Sequence, residues 1–135
     1  NKFAQEAREA KLKAREDLLA PQIGDLLRLD DAAFRILFSR GPVRRIGFDR
    51  FMQNVLIAAG NSGDPSLAPL VEEKLSSRSP LVRAMAVWAL GQLAPQDQFA
   101  EIERRWRCCE KDAMVEAEWA EATSVASCRK EGWTQ

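Results

Sequence analysis

The stretch Pro80-Leu81-Val82-Arg83-Ala84-Met85-Ala86-Val87-Trp88-Ala89-Leu90-Gly91-Gln92-Leu93 decides the fold. Val82, Met85, Ala86, Ala89, Leu90 and Leu93 stand at offsets 0, 3, 4, 7, 8 and 11, the spacing of one apolar stripe along an α-helix. Ser79 offers an N-cap oxygen, and Pro80 takes the first helical position, where its missing N–H would have had no partner.

Outward from this helix the same devices recur. Asp64-Pro65 opens a segment whose Leu67, Leu70, Val71 and Leu75 share one face, and residues 76–79 form the turn into the next helix. Residues 48–59 place Phe51, Val55, Ala58 and Ala59 together, with Gly60-Asn61-Ser62-Gly63 as stop residues. A shift of 31 residues lays Phe51 on Val82, Val55 on Ala86, Ala58 on Ala89 and Gly60 on Gly91. A weaker third copy carries Phe99, Ile102 and Trp106 on one helix and Val115, Trp119 and Ala122 on the next. Upstream, Asp30 caps a short helix with Phe34, Leu37 and Phe38 inward, ended by Gly41-Pro42. No segment alternates apolar and polar residues as a strand would. The expectation is an all-α helical repeat of antiparallel helix pairs, an α-α superhelix, over residues 25–122, and the segment from Val82 to Leu93 resembles the second helix of a HEAT-like repeat. Residues 1–24 read as a charged linker or N-terminal arm, and residues 123–135 as a flexible tail.

Of the 135 residues 46% are hydrophobic and 30% charged, the balance of a folding chain. No run of about 18 apolar residues spans a membrane, and the N-terminus lacks the apolar core of a signal peptide, so a cytoplasmic protein is expected. Histidine is absent, which removes the commonest general base and nitrogen ligand. Cys108, Cys109 and Cys128 are an odd set, read as free thiols, and the adjacent pair lacks the spacer that lets two cysteines share a structural metal. No catalytic or metal site is expected within the chain. Glu116, Glu118 and Glu121 read as a solvated helix face with nothing placed to shift their titration, and three of the four tryptophans sit at core spacing. Net charge is zero, yet Arg35, Arg40, Arg44, Arg45 and Arg50 face a single acid, Asp49, between residues 35 and 50. Any affinity for nucleic acid must come from such local asymmetry.

A more specific signal lies in Gly41-Pro42-Val43-Arg44-Arg45-Ile46-Gly47, followed by Asp49-Arg50-Phe51, Asn54-Val55-Leu56-Ile57-Ala58 and Gly60-Asn61-Ser62-Gly63-Asp64. With the opening Asn1-Lys2-Phe3-Ala4, these resemble the C-terminal region of bacterial epoxyqueuosine reductase, a cobalamin and iron–sulfur enzyme of tRNA queuosine biosynthesis, from Asn1 to about Trp119. In that family the Asn-Lys-Phe stretch follows the last cysteine of a ferredoxin-like cluster motif. The resemblance therefore implies an oxidoreductase parent with cobalamin and two four-iron four-sulfur clusters held elsewhere, no cofactor within these residues, and a basic helical surface for tRNA. Guanidinium forks match phosphate oxygens without reading bases. The candidate phosphate-binding residues are Arg44 and Arg45, with Arg40, Arg50 and Arg78 added from their neighbourhood, and Arg83, whose counterpart in HEAT-like repeats often pairs instead with an acid of the preceding turn, where Ser79 stands here. The expected partners are the tRNA backbone and the catalytic domains of the parent, and no membrane. The competing reading makes the arginines solvated surface residues and the repeat a protein–protein scaffold.

Overall fold

The computed structural model describes residues 19–38 and 47–132, with side chains for 23–38 and 47–124. Among the described residues the chain is all-helical: α1 (Leu19–Leu27), α2 (Asp31–Leu37), α3 (Phe48–Ser62), α4 (Ala68–Glu73), α5 (Pro80–Leu93), α6 (Gln96–Trp106) and α7 (Ala113–Gly132). Short 3-10 turns, Pro65–Leu67 and Lys74–Ser76, flank α4, and Arg107–Cys109 follows α6.

Local chemistry sets these boundaries. Asp30 accepts from the Ala33 N–H at 2.7 Å to start α2, Asp64 accepts from the Ser66 N–H at 3.0 Å to start the Pro65 turn, and Ser79 caps α5 through the Val82 N–H at 3.4 Å. Each satisfies a donor that a helix start leaves without an internal partner. Pro65 and Pro69 each stand in the first turn of their segments, where proline costs nothing, and together they split the α4 region into short pieces.

α5 is the hub, packing against α3, α4 and α7. The stripe read from the sequence is inside, with Met85 partly buried at its margin, but so are Ala84 and Val87, leaving Leu81 as the exposed apolar residue of the helix. A helix apolar nearly all round belongs in the interior, and each buried Val or Leu here contributes roughly 1.5–3 kcal/mol. Around this hub Met52, Leu56, Val71, Ile102, Val115 and Trp119 complete the core, with Phe99 tilted on Trp119 at 5.7 Å between ring centres. The residues expected to line the third helix pair are thus in place: Phe99, Ile102, Val115 and Trp119 are buried, and Trp106 and Ala122 pack partly buried against them.

Two expectations change. The helix expected to stop at residue 59 runs on to Ser62 and ends at Gly63, whose φ of 68° is the left-handed C-terminal geometry that glycine adopts without a Cβ penalty. Gly60 lies inside the helix and serves packing instead, because a Cβ there would meet the Trp88 ring, with Cη2 at 3.0 Å and Cε3 at 3.1 Å. Leu37, expected inward with Phe34 and Phe38, is 60% exposed, because α2 is seated by the two phenylalanines and turns the third position to solvent. α1 packs on α3 and buries Ile23 and Leu27 together. α7 continues past residue 122 to Gly132; residues 133–135 lie outside the described residues.

Candidate nucleic-acid interface

The basic segment between α2 and α3 starts and ends at an aromatic cluster. Phe34 packs on Phe38, Phe48 and Phe51 with ring centres 5.3, 5.8 and 4.9 Å away, and Phe38 meets Phe51 at 5.2 Å. Offset and edge contacts of this kind are favoured by the ring quadrupole beyond simple burial. Arg40, Arg44 and Arg45 lie outside the described residues. Arg50, in the first turn of α3, is exposed, as is Arg78 in the turn before α5, and neither pairs with an acid among the described residues. Arg104 on α6, which the sequence reading did not single out, is likewise an exposed cation without such a pair.

Arg83 has a different setting. Its Nε and one terminal nitrogen donate to the two carboxylate oxygens of Glu110 at 2.9 and 3.1 Å, and the other donates to the Ser77 carbonyl at 2.8 Å. The side chains are 18% and 9% exposed. This two-pronged geometry is the strong form of the arginine–carboxylate pair, and it ties the α4–α5 turn to the loop ahead of α7. Burial acts to raise the Glu110 pKa, but the Arg83 guanidinium and the backbone N–H groups of Asp112 and Lys111 outweigh it and hold the carboxyl below its ordinary 4.5. Nothing in the sequence pointed to Glu110, which stands 27 residues from Arg83.

A second charge network braces α6 against α7. Arg107 donates to Glu103 at 2.7 Å and to Glu116 through Nε at 2.7 Å. Glu72 accepts from the Trp106 indole at 3.1 Å and pairs with Arg105 at 3.3 Å. The acidic face of α7 is therefore not simply solvated, as its sequence suggested. Glu116 holds Arg107, and Glu118 lines a cavity of about 100 Å³ with Trp88, Gly91, Gln92, Glu121 and Ala122. Burial, reinforced by the neighbouring Glu121, pushes the Glu118 carboxyl above its ordinary value.

The described residues hold no group of three or more His, Cys, Asp or Glu side chains able to bind a metal ion. With three cysteines in all, the chain's own donors do not fit a cluster that requires four thiolates. No described helix is long and apolar enough to cross a membrane.

No family model matches the chain, and no solved structure matches it significantly. Curated proteins do. It is 36% identical over 100 residues to the epoxyqueuosine reductase of Alicycliphilus denitrificans, covering 68% of this chain and 28% of that protein. It is 34% identical over 93 residues to that of Xanthomonas campestris pv. campestris, covering 68% and 26%, and 28% identical over 109 residues to that of Escherichia coli, covering 80% and 26%. The chain thus spans about a quarter of the length of the relatives it matches. By sequence, this chain is related to one region of the epoxyqueuosine reductases.

Proposed function

We propose that these residues form a HEAT-like helical-repeat region that engages tRNA through phosphate contacts, within a cytoplasmic tRNA-modifying oxidoreductase of the epoxyqueuosine reductase type. The similarity to a quarter of those enzymes carries the reading, because an enzyme so named acts on a nucleoside of tRNA. In this proposal cobalamin and the iron–sulfur clusters belong to the part of the relatives that the chain does not match. The 135 residues supply binding area and no reductive step.

Two features of the chain support it. The segment bearing Arg40, Arg44 and Arg45 connects α2 and α3, two helices that meet at one phenylalanine cluster. Arg50 and Arg78 are exposed cations whose guanidinium groups no described acid occupies. Arg83 contributes by holding the Glu110 loop. Alternating long helices, α3, α5 and α7, each preceded by a shorter helix, suit the helix-pair stacking of repeat proteins.

A salt titration tests the reading. Neutralising several phosphates makes log affinity fall with log salt by about 0.7–0.9 for each one. Binding of unmodified tRNA on the order of micromolar, with a slope of about 3 or steeper, is the expected result. Absent tRNA binding, or a slope near zero, refutes it and returns the surface to a polypeptide partner.

A further inference from the structure

Cys108 and Cys109 close the 3-10 turn after α6, both exposed, with their sulfurs 3.6 Å apart. Among the described residues no ion pair or metal cluster uses them. They open onto neighbouring depressions, Cys108 beside Arg104, Arg107 and Glu116, and Cys109 beside Arg83, Trp106 and Glu110.

The sulfur separation selects what can bridge them. A disulfide bond of about 2.05 Å would require the pair to close by about 1.6 Å within the small ring that adjacent cysteines form. A linear two-coordinate metal with sulfur bonds of about 2.3 Å would need the thiolates about 4.6 Å apart. A tetrahedral ion needs two further ligands, and no third His, Cys, Asp or Glu joins the pair among the described residues. One atom with two bonds of about 2.3 Å spans 3.6 Å at an angle of about 100°. That is the pyramidal angle of a three-coordinate main-group atom carrying a lone pair.

We propose that Cys108 and Cys109 form a chelating dithiol for trivalent, monosubstituted arsenicals. Both thiols condense with an arsine oxide: two sulfur–arsenic bonds form, the arsenic–oxygen bond breaks, and the two thiol protons leave with that oxygen as one water. Arsenic stays trivalent and no electrons are exchanged, so no oxidant or reductant is needed. The neighbouring Cys108 sulfur, through the hydrogen bond between the two sulfurs and its charge, raises the Cys109 pKa above its ordinary 9.0. Cys109 therefore stays largely protonated near neutral pH. Disulfide exchange, which runs through the thiolate, is slowed, whereas the condensation uses both protons.

The test is intact-protein mass spectrometry of the full chain after incubation with phenylarsine oxide. One phenylarsenic group per chain is expected, retained in excess glutathione and removed by dithiothreitol. Cys108→Ser and Cys109→Ser should each reduce it to none, and Cys128→Ser should keep it. An adduct that persists in either of the first two variants, or a wild-type chain left unmodified while a small dithiol in the same tube takes up the reagent, overturns the assignment.

Discussion

Replacing Gly60 by alanine sets two effects of opposite sign against each other. Glycine inside a helix is unfavourable by about 1 kcal/mol relative to alanine, so at an open site the change would stabilise. At residue 60 the new methyl would meet the six-membered ring of Trp88, with ring carbons at 3.0 and 3.1 Å and Cζ3 closer still. Overpacking a formed interface costs roughly 1–3 kcal/mol, and the indole can relieve the contact only by turning about its two torsions toward the cavity it lines. The expected net change is a loss of about 1 kcal/mol. Trp88→Leu removes the obstruction, and in that background Gly60→Ala should gain about 0.5–1 kcal/mol from helix propensity alone. Urea unfolding followed by far-ultraviolet circular dichroism measures all four chains, and linear extrapolation resolves the difference. The reversal of sign is the signature. A Gly60→Ala change that stabilises wild type, or that has the same effect in both backgrounds, would refute the close approach of α3 and α5.

Arg83→Met leaves the Glu110 carboxylate with its backbone donors only, and should destabilise by about 2–3 kcal/mol in the same urea assay; a loss under 0.5 kcal/mol would contradict the clamp. Because the Glu110 pKa is depressed, its contribution is present above the unfolded value near 4.5 and lost as pH falls through the lower folded value; the stability gap between wild type and Glu110→Gln should close over that acid range. Glu118 has the opposite sign, since its folded pKa is raised: Glu118→Gln should stabilise slightly at neutral pH, by a few tenths of a kcal/mol, with the advantage disappearing in acid. Val82→Asp buries an unpaired charge at a fully buried position of the hub helix and should abolish cooperative unfolding.

The helices were legible where short-range chemistry decides them. Ser79-Pro80 and the spacing from Val82 to Leu93 fix α5 with no knowledge of its neighbours, and Asp30 and Asp64 announce their caps just as directly. Gly60 was misread because glycine near the end of a periodic run has two uses, termination and close approach, and only a neighbour 28 residues away distinguishes them. The 31-residue shift held the clue: Gly60 and Gly91 share a register, and each faces a later long helix, Gly60 at Trp88 and Gly91 at Ala122, whose Cβ is 3.4 Å from where a side chain would begin. Leu37 failed for a related reason, since Phe34, Leu37 and Phe38 all lie on one side of α2 and only the positions of Phe48 and Phe51 decide which part of that side is covered. For Arg83 an ion pair was a legible alternative, but its partner was not, the acid lying 27 residues on in a loop with no periodicity.

The account turns on whether the arginines between α2 and α3 meet phosphate. Affinity for tRNA measured across a salt series, for wild type and for Arg44→Ala/Arg45→Ala, tests this most directly. The double variant should bind more weakly, with its salt slope reduced by about 1.5 and its helical circular dichroism unchanged. A double variant with the affinity and slope of wild type would contradict it.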